Sequence, residues 1–189
     1  MTQQPALQHS NLRQRNETTE HPDRTRTYRW EDPLVGAEAA RQMSGLEYLK
    51  AIARGEYPPP PIGQTMGFSV PSEDDVHKGR VIFRLRPEEF HYNPIGSVHG
   101  GVFATLLDSA LGCAIHTMLP AGVGYTTLEL KVNYLRPLKS GMGEVQAVGE
   151  VLSVSRQVAT AQAQVLDERG KLYAHATTTC LILRPERAL

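Results

Sequence analysis

The chain has 189 residues, of which 40% are hydrophobic, so it can bury one core in one principal domain. Lysine plus arginine and aspartate plus glutamate number 20 each, and the zero net charge argues against a nucleic-acid-binding protein, which needs a concentrated basic surface. The longest apolar stretch, residues 102–120, contains Asp108 and His116 and is a poor candidate for a membrane span.

The cysteines and the first residues indicate a compartment. Cys113 and Cys180 lie inside apolar segments, where buried free thiols of a reducing compartment are the simplest interpretation. The first residues contain no apolar stretch of the kind that a secretory signal needs. We therefore expect a soluble, cytoplasmic protein.

Residues 1–29 differ in composition from the rest of the chain. They are rich in Gln, Asn, Thr and charged residues and nearly lack large apolar side chains, which predicts a disordered polar arm. Residues 30–62 are predicted to form an N-terminal helix and a connector. Apolar residues at helical spacing predict one helix over Ala37–Ala53, and the prolines of Pro58–Pro61 predict a stiff link. Residues 185–189 are expected to form a tail.

Residues 63–184 are predicted to form the main domain. A long helix runs from about Gly100 to about Met118, where Pro120 ends it. The predicted strands are Met66–Val70 and Lys78–Leu85 before this helix, and Tyr125–Leu135, Gly143–Val154, Arg156–Leu166 and Leu172–Leu183 after it. Short turns between the final strands favour an antiparallel meander that curls around the helix, an α+β fold.

The side chains also predict which strand faces meet the helix. Strict alternation along residues 125–135 puts Leu128 and Leu130 on one face and Thr127 on the other. Two later strands each have a face of small apolar residues, which would let the helix lie close to the sheet; these residues are Ala159, Ala161, Ala163 and Val165, and Ala174, Ala176, Cys180 and Ile182.

The segment from His91 to Gly101 and the helix after it indicate chemistry. Gly100 and Gly101, at a helix start, leave backbone N–H groups unpaired and unshielded, and such groups can stabilise an oxyanion with the help of the helix dipole. Asp108 is a carboxylate two turns into a helix of apolar residues, a setting that suits a general base or a nucleophile. The alternative interpretation of Asp108 is a buried carboxylate capped by neighbouring polar groups.

The spacing of these residues predicts a dimer. Gly100 and Asp108 are eight positions apart on one helix, which separates them by ~12 Å along its axis. That distance is too long for both to act on one carbonyl carbon. If they cooperate, the aspartate must come from a second chain whose helix runs antiparallel to the first, as in a two-fold dimer.

A family resemblance rests on three segments of the chain. They are NPIGSVHGGVFATLLDSALG, TTLELKVNYLRP and LYAHATTTCLI. They resemble the PaaI-like hotdog-fold thioesterases, and the resemblance covers roughly Met43–Leu183. It implies an antiparallel sheet of five or six strands wrapped around one long central helix, in a homodimer or homotetramer. It also implies hydrolysis of acyl- or aroyl-coenzyme A thioesters without a metal or a bound cofactor.

The resemblance implies roles for individual residues. The backbone amide of Gly100 would stabilise the oxyanion, Asn93 would help to hold the thioester carbonyl, and His99 would shape the turn and contact the carbonyl. Asp108 would either activate water or attack the carbonyl directly. Thr127 would orient the nucleophile through its hydroxyl.

Other implied contacts and alternatives concern the rest of the substrate. Arg156 and Lys139 are the candidates for the coenzyme A phosphates, with Ser155 standing where many relatives have glycine. The histidines lack the short spacing of zinc sites, so no metal is expected. The alternative function is a non-catalytic acyl-coenzyme A-binding or sensing hotdog dimer, which would not need Asp108 at the thioester. A hotdog hydratase is disfavoured because His116 is two helical turns beyond Asp108.

Overall fold

The computed structural model describes residues 24–185. The greater part of the predicted polar arm, residues 1–23, and the end of the predicted tail, residues 186–189, lie outside the described residues. The arm residues 24–29 are described, and they contact the domain. Arg26 donates hydrogen bonds to the carbonyls of Gln64 and Thr65, and its guanidinium carbon lies 3.7 Å from the centroid of the Phe90 ring.

Among the described residues, three helices precede the sheet: α1 (Pro33–Gln42), α2 (Gly45–Ala53) and α3 (Pro61–Met66). The prediction of one helix over Ala37–Ala53 is wrong, because Ser44 starts a new helix. Its side chain accepts a hydrogen bond from the Glu47 amide, and the Glu47 carboxylate accepts one from the Ser44 amide, which forms a capping box. The last proline of the connector, Pro61, occupies the first position of α3, where its missing N–H has no intrahelical partner to lose.

Seven strands and one long helix form the main domain. They are β1 (Phe68–Ser69), β2 (Val76–His77), β3 (Arg80–Leu85), α4 (Gly100–His116), β4 (Gly124–Tyr134), β5 (Val145–Val154), β6 (Val158–Asp167) and β7 (Leu172–Leu183). All strand pairs are antiparallel, and the sheet wraps around α4. This confirms the predicted α+β hotdog fold. Within residues 24–185, no helix has the length and apolar character to cross a membrane.

The strand order is β1-β3-β5-β6-β7-β4, with β2 also paired to β3. The predicted meander of the last four strands is therefore correct for β5, β6 and β7 and wrong for β4, which pairs with β7 instead of β5. Residues 135–144, which connect β4 to β5, are too many for a tight turn and cross below the start of α4, where the Val98 amide donates to the Leu138 carbonyl. As a result β4 is an edge strand of the described sheet.

Helix α4 lies very close to the sheet because the residues that face it are small. The predicted alanine faces of β6 and β7 are buried against it, and Ala161 and Ala174 are fully inaccessible to solvent. On β5, Gly149 lies directly below Ala110, so that a Cβ at position 149 would overlap the Ala110 carbonyl oxygen. Such close packing allows only one orientation of α4 about its own axis.

Strand β4 contains a β-bulge that the alternation did not predict. Thr127 pairs with Cys180 on β7, and Glu129 pairs with the residue directly before Cys180, so Leu128 is an extra residue. Thr127 therefore faces α4 on the same side as Leu130, while Leu128 points outward and is 60% exposed. The predicted grouping of Leu128 with Leu130, opposite Thr127, is wrong for this reason.

The contact between Gly149 and α4 predicts that alanine substitutions at two strand glycines differ in their effect on the stability of the protein. In Gly149→Ala the new methyl group has no space, and we expect the free energy of unfolding to fall by about 2–3 kcal/mol. Gly124→Ala is the matched control, because a Cβ there meets the Leu183 Cβ at an ordinary 3.8 Å. Denaturant unfolding at one fixed protein concentration measures both. Equal stabilities of the two variants would contradict the packing argument.

Candidate active site

Asp108 lies on α4 beside β4 and is partly buried. The Thr127 hydroxyl donates a hydrogen bond of 3.0 Å to Oδ1 of Asp108. No lysine, arginine or histidine among residues 24–185 forms an ion pair with Asp108. The carboxylate is thus oriented by one neutral hydroxyl, which leaves lone pairs for a water molecule or a substrate.

The start of α4 offers one free backbone amide. The Gly101 amide donates to Nδ1 of His99, which caps the helix, at 2.8 Å. The Gly100 amide makes no hydrogen bond within residues 24–185. On its other side Gly100 is fixed by Tyr134, whose hydroxyl donates to the Gly100 carbonyl at 3.1 Å. The free N–H therefore lies at the positive end of the 17-residue helix, where it can receive an anionic oxygen.

Asn93 organises the loop before α4. Its side-chain oxygen accepts hydrogen bonds from the amides of Ile95 and Ser97, and its side-chain nitrogen donates to the Ser97 hydroxyl. The backbone amide of Asn93 also donates to the Ser97 carbonyl at 2.7 Å. In the described chain the Asn93 side chain is thus directed at its own loop, and its contact with a thioester carbonyl stays a prediction.

One chain brings the expected residues together in two separate groups. Asp108 and Thr127 meet in the middle of α4, whereas His99 and Gly100 lie at its start. Because Gly100 and Asp108 are eight positions apart, the two groups are separated by about 12 Å along the helix axis. The catalytic roles that the family resemblance implied for these residues stay predictions.

A cavity of about 310 Å³ opens beside Asp108 and Thr127. It lies between α4, the sheet and the N-terminal helices, and its walls are mostly apolar. The apolar wall includes Leu49, Ile52, Ile62, Phe68, Val81 and Phe83. An acyl group could therefore leave water at this point while its carbonyl stays near Asp108.

Cys113 also lines this cavity, but it is unsuited to act as a nucleophile. Burial raises the pKa of the Cys113 thiol to about 12, and the nearby charge of Asp108 contributes to the increase. The thiol therefore stays protonated at neutral pH, and a thiolate is the form that attacks. Cys113 is therefore a wall residue of the cavity.

The two candidate contacts for coenzyme A do not meet in one chain. Lys139 precedes β5 and Arg156 follows it, so they lie at opposite ends of a ten-residue strand. Both residues are exposed. The carbonyl of Arg156 accepts a hydrogen bond from Nε of Arg184, and its guanidinium makes no ion pair within residues 24–185.

Two parts of the site were not predicted from the sequence. Tyr134 was assigned no role, although its hydroxyl fixes the Gly100 carbonyl. The wall that α2 and α3 add to the cavity through Tyr48 and Ile62 was also not predicted. The contact of Tyr48 with His116 on α4 joins residues far apart in the chain, and local spacing carries no signal for such contacts.

The fold and these contacts define a hotdog protein with a candidate acyl site, and sequence comparisons give its family. The model of the Thioesterase superfamily matches residues 95–174. A Saccharolobus solfataricus protein named as an esterase is 31% identical over 110 residues, which are 58% of this chain and 76% of that protein. Acyl-coenzyme A thioesterase 13 of Homo sapiens is 29% identical over 102 residues, 53% of this chain and 71% of that protein.

A Halobacterium salinarum protein named as an esterase is 35% identical over 100 residues; the match spans half of this chain and 64% of that protein. Among solved structures, a phenylacetic acid degradation-related protein from Ralstonia eutropha is similar with a TM-score of 0.60, 26% identity and coverage of 71% of this chain and 98% of its own. A variant of the phenylacetic acid degradation protein PaaI from Thermus thermophilus has a TM-score of 0.58 and 29% identity, over 67% of this chain and all of its own.

The chain belongs to the thioesterase superfamily, and within it to the PaaI-like hotdog proteins. Its enzyme class is therefore that of the thioester hydrolases. The resemblance inferred from the sequence is confirmed.

The hydrogen bond from Thr127 to Asp108 predicts a kinetic effect. Thr127→Val keeps the shape of the side chain and removes the donor, so we expect kcat for thioester hydrolysis to fall about tenfold, because Asp108 loses its orientation. KM should change little, and denaturant unfolding should match that of the wild type, which excludes a loss of folded protein as the cause. Thr126→Val, at an exposed position of the same strand, is the matched control and should keep the wild-type kcat. An equal kcat for both variants would refute the role of Thr127.

Proposed function

We propose that the protein hydrolyses acyl- or aroyl-coenzyme A thioesters at sites shared between two subunits. The observation that carries this proposal is the carboxylate of Asp108, which is held by Thr127, forms no ion pair within residues 24–185 and borders an apolar cavity. A carboxylate in this position can act as base or nucleophile on a carbonyl whose acyl group enters the cavity. The name of the human relative, an acyl-coenzyme A thioesterase, supports the same substrate class.

The reaction needs a base and a donor for the developing oxyanion. Asp108 takes a proton from water as the water oxygen attacks the thioester carbonyl carbon; in the alternative route its carboxylate attacks and forms a mixed anhydride that water then hydrolyses. In both routes negative charge develops on the carbonyl oxygen, and the free Gly100 amide is suited to receive it. The C–S bond then breaks, and the coenzyme A thiolate leaves and takes up a proton.

His99 can assist at the same oxygen. Because its Nδ1 accepts a hydrogen bond from the Gly101 amide, a neutral His99 ring carries its proton on Nε2. That N–H is free to donate to a carbonyl oxygen near Gly100. The side chain is exposed and borders an open hollow of about 430 Å³ at the start of α4.

The edge strand β4 supplies a route to the dimer. In the described sheet this 11-residue strand pairs with β7 on one side only, and a long unpaired edge favours pairing with a second copy. The residue that contacts Asp108, Thr127, lies toward one end of β4, and the residue that contacts Gly100, Tyr134, lies at the other. Antiparallel pairing of two β4 strands about a two-fold axis would bring Asp108 of one subunit toward Gly100 of its partner.

The same two-fold axis would also bring the coenzyme A candidates together. Lys139 lies at the end of the sheet near the start of α4, and Arg156 lies at the end where α4 finishes. Antiparallel pairing places opposite ends of the two subunits side by side. Lys139 of one subunit and Arg156 of the other would therefore lie at the same end of the dimer. Two cations at that place suit the phosphates of coenzyme A. We propose this shared site in a homodimer, which can pair further into a homotetramer.

Substitution of the carboxylate is the primary test of the proposed function. Asp108→Asn is nearly isosteric, and we expect it to lower kcat about a thousandfold, because the side chain can no longer accept a proton or attack. Thiol release from short, medium, long and aromatic acyl-coenzyme A thioesters measures the effect. Asp74→Asn, an exposed exchange outside the site, is the control. Tight binding of these thioesters with no turnover by the wild type would favour the sensing function instead.

Removal of a single N–H tests the oxyanion donor. Position 100 is the first residue of α4, where proline is well tolerated, so Gly100→Pro deletes the amide hydrogen and keeps the helix start. We expect kcat to fall about a hundredfold. Gly100→Ala is the matched control: it brings the same Cβ within 3.2 Å of the Tyr134 ring but retains the N–H. If both variants lose the same activity, the cause is the Tyr134 contact and the donor role is wrong.

The two inactive variants together test whether a site is shared. In a heterodimer of Asp108→Asn and Gly100→Pro, one of the two sites has both intact groups. An equal mixture after complete subunit exchange should therefore regain about a quarter of the wild-type activity. Native mass spectrometry verifies that heterodimers have formed. No recovery in verified heterodimers would contradict a site between subunits.

A further inference from the structure

His91 is a buried, titratable residue that the proposed reaction does not use. It lies eight positions before His99, and only 4% of it is accessible to solvent. Both ring nitrogens have partners: Nδ1 accepts a hydrogen bond from the Glu88 amide at 2.9 Å, and Nε2 lies 2.7 Å from the Met66 carbonyl oxygen. Because an amide can only donate to Nδ1, the neutral ring carries its proton on Nε2, which donates to Met66.

The backbone of His91 holds the turn before α4. Its carbonyl accepts a hydrogen bond from the His99 amide at 2.8 Å. The carbonyl of His99 accepts another from the Val102 amide at 3.0 Å. His99 is therefore held on both sides, and with it the peptide unit that carries the Gly100 N–H.

The described part of the N-terminal arm reaches the same place. The last carbonyls of a helix lack amide partners within it, and at the end of α3 side chains from two other segments donate to them. Arg26 donates to the carbonyls of Gln64 and Thr65 at 2.9 Å each, and His91 donates to the next one, that of Met66. The arm and the turn before α4 are thus fastened to one helix end.

Phe90 joins Arg26 to His91 by packing, and we call these three residues the arm junction. The Arg26 guanidinium stacks on the Phe90 ring, whose centroid is 4.0 Å from that of the His91 ring. The three side chains meet around Gly67, where a Cβ would lie 3.1 Å from Nη2 of Arg26 and 3.6 Å from Nε2 of His91. The junction is therefore closely packed, and a change in Arg26 should be felt at His91.

We propose that His91 is a positioning residue for the oxyanion donors, and that the N-terminal arm keeps it in place through Arg26. The inference rests on the proposed function, because it takes His99 and the Gly100 amide as the groups that receive the oxyanion. The arm junction borders the hollow at the start of α4 that His99 also lines. His91 acts through its backbone, which sets the direction of His99. Such donors must be placed to within about 0.5 Å, so a turn that is held on both sides favours catalysis.

The hydrogen bonds of the junction require a neutral His91. Burial lowers the pKa of the His91 ring, the charge of Arg26 lowers it further, and the charge of Glu88 acts in the opposite direction. Protonation would place a second N–H of the ring against the Glu88 amide, donor against donor. Other titratable groups here are the Arg24–Glu89 ion pair and, along the hollow, Tyr28, Tyr92 and His99. The ring is therefore neutral at physiological pH, and removal of the Arg26 charge should raise its pKa.

Two substitutions at position 91 test the positioning role. His91→Phe keeps a planar ring and removes both hydrogen bonds, so we expect kcat for thioester hydrolysis to fall about tenfold with little change in KM, because the oxyanion donors move. His91→Gln should keep kcat to within about threefold, because its amide nitrogen is as many bonds from the backbone as Nε2 and can donate to Met66. His77→Phe is the matched control, since the exposed His77 ring on β2 also bonds to a backbone carbonyl, that of Asp74.

Arg26→Gln tests the part that the arm plays. We expect it to lower kcat about threefold and to raise the pKa of His91, which NMR titration of the ring measures. If Arg26 acts through His91, the double variant Arg26→Gln, His91→Phe should have the kcat of His91→Phe alone. Arg29→Gln removes an equal charge from an exposed position of the same arm and should change neither quantity. Independent effects of Arg26→Gln and His91→Phe on kcat would contradict the role of the arm.

Hydrogen exchange separates this inference from the proposed function, because it needs no turnover. The His99 amide, which donates to the His91 carbonyl, should exchange about tenfold faster in His91→Phe than in the wild type, His91→Gln or His77→Phe. If the wild type hydrolyses no thioester, the proposed function fails and these rates alone decide whether His91 sets the turn. If the wild type is active and the His99 amide exchanges at the same rate in all four proteins, the inference is wrong. It is also wrong if His91→Phe and His91→Gln lose equal activity, or if denaturant unfolding shows that the loss only follows the fraction of unfolded protein.

Discussion

Helix α4 can lie against its sheet only because glycine and alanine face it. The missing side chain of Gly149 makes room for the Ala110 carbonyl, and that of Gly112 makes room for the Tyr125 hydroxyl. With such little space the helix cannot rotate, so its polar residues have fixed neighbours. Asp108 meets Thr127 for this reason, and Gly100 meets Tyr134. The geometry of the candidate site thus follows from how closely helix and sheet pack.

Both of these contacts involve β4, and β4 is an edge strand of the described sheet. One chain therefore presents a carboxylate and a free amide along one unpaired edge, but too far apart to act on the same carbonyl. Antiparallel pairing of two such edges would satisfy the backbone groups of β4 and would complete two sites. Assembly and chemistry then depend on the same strand, so a change in β4 should affect both.

Local patterns in the sequence predict part of this structure. Asp108 is visible as a charge among apolar helical residues, the two glycines mark the start of α4, and the alanine faces show which strands lie below it. The break at Ser44 was not predicted, although Ser44 and Glu47 have the spacing of a capping box, which is a signal for it. The β4 bulge had no such signal, since alternation alone cannot show an extra residue in a strand whose pairing partner is unknown.

Long-range pairing is the other limit on prediction from sequence. The place of β4 beside β7 depends on pairing between residues about 50 positions apart. Local spacing in the sequence carries no information about such pairing. The wall that α2 adds to the cavity is a contact of the same kind. Tyr48 approaches His116, although 68 positions separate them in the sequence. The sequence therefore indicated where the carbonyl would react more clearly than where the acyl group would lie.

The most direct test of the shared site is a crystal structure of the Asp108→Asn protein with a bound acyl-coenzyme A thioester. We expect the thioester oxygen at about 3 Å from the Gly100 amide nitrogen of one subunit. Residue 108 of the other subunit should face the carbonyl carbon, with the acyl group in the cavity beside it. A thioester held by the amide of Gly100 and by residue 108 of the same chain, or one bound away from both, would contradict the account.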